Sequence, residues 1–294
     1  MQIQKILPKV LNSIEEAHKK VSASIIKTGY RELDEIIEGV YPGELAVIAG
    51  TGELGESFAQ NVILNQLKAK PDASILVICP RISEEQYVMH LISIQSEVFF
   101  SSISQANPPL DKMDWERIRR ANEILLKSKI QISEDQTIAT KDGFSELEEL
   151  YSVSTLDLIV IDDLDSIIFK EVIKPLTTDQ ADKNIKTVKL TKAETVALKI
   201  SILNEIAREF HIPVLTVYSG SVGKLDLNTH VNVIDSYFSF ADVVLEMDDE
   251  RLGQTGLVDI DIRKCKHGTT GTTSLFYCDE FTCFDSQDIE AEKL

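Results

Sequence analysis

Gly50, Gly55, Glu56 and Ser57 stand in the stretch VIAGTGELGESFAQNVI at the spacing of the phosphate-loop pattern G-x-x-x-x-G-K-[ST], with one exception. The position between Gly55 and Ser57, where the pattern has lysine, is Glu56. Backbone N–H groups of such a glycine-rich turn, together with the N-terminus of the following helix, point at phosphate oxygens. The lysine neutralises the outer phosphates and the serine hydroxyl reaches a magnesium ion. Gly50, Gly52, Gly55 and Ser57 keep the cradle and the hydroxyl, whereas Glu56 reverses the charge. A carboxylate about 4 Å from a phosphate oxygen is repelled by roughly 4 kcal/mol at an effective dielectric near 20. Either the nucleotide site has been lost or its cation comes from elsewhere, with Lys68, Lys70, Arg81 or a lysine from another subunit as sources.

A second acidic motif, LDLIVIDDLDSI, is an apolar run ending in Asp162, as expected of a strand that delivers a metal-holding carboxylate. Asp163 and Asp165 add charge nearby. Cys265, His267, Cys278 and Cys283 lie close in sequence, but their spacing matches no common zinc pattern. With Cys79 they read as free thiols in a reducing compartment, and no disulfide framework is signalled.

These residues need strands and helices to hold them. ELAVIAG, SILVICP, LDLIVIDDLD, IPVLTVYS and ADVVLEMD are short apolar runs with the look of buried parallel strands. Helices are expected from Ser57 to about Lys68, from Ser83 to about Ile94 and over AETVALKISILNEIAREFH. A further helix lies in PLDKMDWERIRRANEILLKSK, with Asp114 as its cap and Trp115, Ile118, Ala121 and Leu125 on one side. The segment after Gly256 reads as paired strands with a turn at residues 268–271. Alternation of this kind predicts an α/β fold, a mostly parallel sheet flanked by helices, closed by a C-terminal β-hairpin. Residues 3–20 read as an amphipathic helix with Ile6, Val10 and Ile14 on its stripe, giving an interaction helix over 1–22 and a main domain over 23–294.

The chain has 294 residues, 43% of them apolar, enough for a substantial core. Its 30 basic and 48 acidic residues give a formal net charge of -18, which disfavours a generic nucleic-acid binder. The locally basic stretch is 170–192, where six lysines, Lys183, Lys186 and Lys189 among them, meet three acids. No run of ~20 apolar residues suggests a membrane span, and no apolar segment near the N-terminus is long enough for a signal peptide. A cytoplasmic protein is expected.

The succession TGYRELDEIIEGVYPGELAVIAG, LVICPRISEEQYVMHLIS, MDWERIRRANEIL, LDLIVIDDLDSI, LNEIAREFHIPVLTVYS, ADVVLEM and IRKCKHGTTG resembles, in register, the C-terminal motor domain of the DnaB-type replicative helicases, which are hexameric RecA-like ATPases. The resemblance covers nearly the whole chain, with the linker helix but without that family's N-terminal domain. It implies a RecA-like P-loop fold, and it implies roles for particular positions. The family's catalytic glutamate corresponds to Arg81, its sensor glutamine after the second acidic motif to Asp165, and a further glutamine to Ser219 or a neighbour. With Glu56, four catalytic positions depart together, which implies a pseudo-ATPase. Lys264 and Lys266 match a basic pair that reaches the nucleotide of an adjacent subunit, or are solvated lysines on a hairpin edge. Lys183, Lys186 and Lys189 fall where the family carries a DNA-contacting loop, so weak binding of single-stranded DNA is the most that is expected. Besides a RecA-like recombination or signalling module that binds nucleotide without turnover, two readings stand open. One is an assembly or regulatory protein of DNA replication that binds itself or a DnaB-type helicase, with no cofactor and no metal. The other is an ATP- and magnesium-dependent helicase with an unusual P-loop.

Overall fold

The computed structural model describes residues 7, 11, 25–50, 53–138, 144–169, 192–219 and 239–286. The expected helix over 1–22 lies outside them apart from Leu7 and Leu11, both exposed. Gly52, the stretch carrying Lys183, Lys186 and Lys189, and the acidic tail also lie outside.

One nine-stranded sheet organises the chain. Its parallel part comprises β1 (Leu45–Gly50), β2 (Ser74–Ile78), β3 (Lys129–Ser133), β5 (Leu158–Ile161), β7 (Val214–Tyr218) and β8 (Val243–Asp248). The antiparallel extension comprises β9 (Leu257–Cys265), β10 (Gly271–Cys278) and β11 (Cys283–Asp285). The order across the sheet is β11-β10-β9-β8-β1-β7-β5-β2-β3. A separate short pair joins β4 (Thr137–Ile138) to β6 (Ile168–Phe169).

β1 lies near the middle, paired on both edges and buried at all six positions. Its alternate residues serve two cores: Ala46 and Ile48 face one, and Leu45, Val47 and Ala49 face the other. A strand covered on both faces has no polar side to show, so its sequence is a continuous apolar run. β9 instead alternates, with Val258, Ile260 and Ile262 inward and Asp259 and Asp261 on the other face, where Ser274 and Thr272 of β10 donate hydroxyl hydrogen bonds to them.

The helices are α1 (Arg31–Ile37), α2 (Leu54–Ala69), α3 (Glu84–Ser96), α4 (Phe100–Gln105), α5 (Lys112–Leu125), α6 (Phe144–Tyr151), α7 (Lys192–Phe210) and α8 (Leu252–Thr255). α2 begins earlier than expected, placing Glu56 and Ser57 inside its first turn. α3 starts where Ser83 forms a capping box with Gln86. α5 is capped by Asp111, not Asp114; Asp114 is the third helical residue and completes a capping box. Trp115, expected on the inward stripe of α5, is half exposed, and only Ala121 of that helix is buried. β3, α1 and α6 were not expected from the sequence. β3 is an outer strand whose residues are mostly exposed or half-buried, so it lacks the apolar run that marks the inner strands.

Candidate functional site

The site lies at the C-terminal ends of β1, β2 and β5, the end of a parallel sheet where ligands bind in open α/β folds. Gly50 closes β1, and α2 departs after the turn. Glycine at position 55 is a packing requirement: a Cβ there would come within 2.9 Å of Val217 Cγ1 on β7. The close seating of α2 on the sheet puts Glu56 at the helix N-terminus, where the helix dipole favours an anion.

Arg81 follows the end of β2 and reaches across to it. Its Nη1 donates to Glu56 Oε1 at 2.7 Å, and its Nε lies 3.9 Å from Asp163 Oδ2. Two of the residues singled out in the sequence therefore meet each other: the Glu56 carboxylate, where the phosphate-loop pattern has lysine, and the Arg81 guanidinium. Burial raises the pKa of Glu56, Arg81 lowers it, and Asp163 and Glu53 raise it further.

Asp162 emerges from β5, its backbone N–H donating to Ile78 O at 2.9 Å. Its side chain is buried, and Oδ1 finds no hydrogen-bond partner among the described residues. Burial chiefly, with Glu56 and Asp163 alongside, pushes its pKa up to about 8, against a smaller opposing pull from Arg81. The Tyr87 hydroxyl of α3 is likewise buried without a partner among the described residues, in the same field of Asp162, Cys79 and Glu56. Nothing local in the sequence distinguishes Tyr87 from a core aromatic. Asp163 is drawn into the following turn, accepting from Asp165 N and from the Ser166 hydroxyl. Lys199 of α7 caps that turn, donating to Leu164 O at 2.9 Å and Asp165 O at 2.7 Å. Ser57 is buried, and its hydroxyl lies 3.4 Å from the Tyr277 hydroxyl of β10. Ser219, just past β7, is exposed.

The other described cations singled out in the sequence, Lys68, Lys70, Lys264 and Lys266, lie away from Glu56. Lys68 and Lys70 sit at the far end of α2, about 18 Å from Glu56 at 1.5 Å per helical residue; Lys70 pairs with Asp157 at 2.8 Å. Neither can stand in for the missing lysine within this chain. Lys264 donates to Ser239 O at 2.8 Å. Lys266 contacts Glu44 Oε1 at 2.9 Å and Asp242 Oδ1 at 3.3 Å. Both lysines lie at the N-terminal ends of the parallel strands, since Cys265 of β9 pairs with Val243 at the start of β8. Any contact they make with a P-loop would be with that of another protomer. The four residues considered for a metal disperse: His267 bonds Glu44, the Cys265 thiol meets Ile37 O, and only Cys278 and Cys283 face each other. Among the described residues no group of three or more His, Cys, Asp or Glu side chains gathers around a common point.

The sequence profile of the DnaB-like helicase C-terminal domain matches residues 25–219. The chain belongs to that family. It is 24% identical over 295 residues to the replicative DNA helicase DnaC of Bacillus subtilis, covering 96% of this chain and 61% of that protein. It is 25% identical over 302 residues to the replicative DNA helicase DnaB of Buchnera aphidicola subsp. Baizongia pistaciae, covering 97% of this chain and 61% of that protein. The chain thus spans less than two thirds of these relatives. Among solved structures, a DnaB-like replicative helicase studied with primase superposes with a TM-score of 0.69 at 18% identity, over 97% of this chain and 67% of that one. A separately solved ATPase domain gives 0.71 at 17% identity, over 97% of this chain and 98% of that one. These likenesses bear out the RecA-like fold with its mostly parallel sheet and C-terminal hairpin. Within this DnaB-like domain, the helix after β1 carries the Glu56–Arg81 ion pair at its first turn.

Proposed function

We propose that this DnaB-like domain does not hydrolyse ATP and serves DNA replication through protein–protein contacts, as an assembly or regulatory subunit. The observation that carries this reading is the Glu56–Arg81 ion pair in the first turn of the P-loop helix. A triphosphate entering there would meet the Glu56 carboxylate and would have to compete with it for Arg81. Burial pushes the pKa of the Asp162 carboxyl up to about 8, so a magnesium ion would have to displace its proton to bind there. The Ser57 hydroxyl faces Tyr277 rather than open space. Gly50 and Gly55 keep the glycines of the pattern, but the side chains at the described positions of the site do not fit a magnesium-bound triphosphate. Partners follow from family membership: a second copy of this chain or a DnaB-type replicative helicase, in the cytoplasm. No helix among the described residues is long and apolar enough to cross a membrane.

Calorimetric titration of the purified protein with Mg·ATP at about 0.1 M salt, where the Debye length is about 10 Å, tests the reading. No heat of binding at millimolar ATP, together with co-elution with the replicative helicase of the same cell, is the expected result. Micromolar binding with turnover stimulated by single-stranded DNA and abolished by Asp162→Ala would overturn it. That outcome belongs to the second reading, an ATP-driven helicase whose cation is Arg81. The 2.7 Å reach of Arg81 to the helix N-terminus is what favours it.

A further inference from the structure

The C-terminal hairpin places two cysteines opposite each other. Cys278 ends β10 and Cys283 begins β11, and the two are direct partners in the antiparallel register. Partners of this kind have Cα atoms about 4.5–5.5 Å apart, inside the span of about 4.4–6.8 Å that a disulfide bridges. The Cys278 thiol donates to Glu280 Oε2 at 3.7 Å, and both cysteines are half-buried rather than sealed in the core. Cys79, by contrast, is fully buried, and Cys265 is occupied by Ile37 O and Gly268 N.

The pair sits on a strap fastened to the P-loop helix. Asn61 of α2 donates to Ser57 O and Thr282 O and accepts from Phe284 N, so it holds both the turn between the cysteines and the start of β11. Phe284 packs edge-on against Phe58 of the same helix, with ring centroids 5.5 Å apart. Tyr277, the residue before Cys278, faces the Ser57 hydroxyl.

We propose that Cys278 and Cys283 are a reversible modification site, a cross-strand dithiol that a low-molecular-weight disulfide such as glutathione disulfide oxidises to an intramolecular bond across the hairpin. Cys278 loses its proton and its sulfur attacks one sulfur of glutathione disulfide, releasing one glutathione thiol. Cys283 then gives up its proton and displaces the second glutathione from the mixed disulfide. One disulfide is reduced to two thiols and two protein thiols are oxidised to one disulfide. Burial, Cys278, Glu97 and Asp285 push the Cys283 thiol up to about 12, which disfavours it as the first attacker and slows its displacement of the second glutathione. The resulting bond locks the strap that holds α2 by Asn61. A bond of this kind belongs to a regulatory site rather than a permanent staple in a reducing compartment.

The test uses the full chain, fully reduced and desalted, incubated with glutathione disulfide, then alkylated in denaturant and digested with trypsin. Both cysteines fall in one tryptic peptide, residues 267–293, which has no internal Lys or Arg. The expected product is that peptide two hydrogens lighter and without alkyl groups, gaining two alkyl groups after reduction, with Cys79 and Cys265 still alkylated. Cys283→Ser is expected to retain one glutathione on Cys278. The proposal is overturned if the peptide emerges with both thiols alkylated, if it carries two separate glutathiones, or if the bond forms equally fast in urea, where the hairpin no longer brings the sulfurs together.

Discussion

Two ends of the same sheet treat buried carboxylates in opposite ways. At the N-terminal ends of the strands, Glu44 precedes β1 and Asp242 precedes β8. Glu44 accepts from Tyr41 N at 3.1 Å, Lys266 at 2.9 Å and a ring nitrogen of His267 at 2.6 Å. Asp242 accepts from Leu45 N at 3.1 Å and Asn204 Nδ2 at 3.0 Å, and Lys266 completes its shell. At the C-terminal ends, Asp162 is as deeply buried, but Oδ1 has no partner among the described residues and its pKa is driven to about 8. Saturated networks rigidify a structure, whereas an open buried group is costly. Open groups persist where a site is, or once was, built for something other than stability. The bottom of the sheet has the chemistry of a scaffold, and the top has that of a site.

The strongest way to break this contrast is Asp162→Asn. The folded-state pKa, about 8, lies above the ordinary 3.8. The unfolded chain therefore releases this proton first as pH rises, and native stability falls across the window from about 4 to about 8. Asparagine cannot lose that proton, so relative to the parent its stability rises by about 1.4 kcal/mol per pH unit within the window. Its amide is itself buried without a partner, a cost of about 1–3 kcal/mol. The variant should therefore be the weaker protein near pH 4 and the stronger near pH 8. Urea midpoints across that range would read the crossing, and parallel curves would mean that Asp162 is ionised throughout.

The opposite end responds in the opposite sense. Lys266→Met leaves two buried carboxylates sharing one histidine, an asparagine amide and backbone donors. A loss of roughly 2–3 kcal/mol is expected, read as a lower urea midpoint with an unchanged slope. If Lys266 acts only on a neighbouring subunit, the isolated protomer will lose nothing. Lys264→Met is the control.

The same contrast shows what the sequence made legible. The inner strands announced themselves because burial on both faces leaves nothing but apolar residues, as in β1 and β5. The α3 cap was visible in Ser83, whose partner lies three residues on. β3 escaped because an outer strand keeps polar residues on its open side. Asp114 was mistaken for the cap of α5 because both it and Asp111 belong to the same reciprocal box. In the site, Glu56 and Arg81 stood among four positions that depart together from the resembled pattern, and neither was read as the other's partner. Their pairing is a long-range contact, made by the seating of α2 and the end of β2, and no local pattern encodes it. The role of Lys266 was hidden for the same reason, since its partner Glu44 lies just before β1, at the other end of the chain.

That pairing yields the smallest and most specific prediction. If Glu56 and Arg81 act as a unit, Glu56→Lys sets two cations together and Arg81→Glu sets two anions together, while the double exchange restores an opposite-charge pair. Because Arg81 is half exposed, solvent screens the interaction, and a coupling of only about 1 kcal/mol is expected from the double-mutant cycle in urea. Nucleotide affinity is the sharper readout. Glu56→Lys alone leaves Arg81 beside the new lysine and gains a cation without recovering the acid. The double variant places lysine in the P-loop and glutamate after β2, the arrangement that the resemblance to DnaB-type helicases implies at both positions. Mg·ATP binding that appears in the double variant and exceeds that of either single variant would mean that the top of the sheet is an exchanged site rather than an eroded one. Equal binding in Glu56→Lys and the double would mean that the lysine position alone decides, and that Arg81 is a bystander.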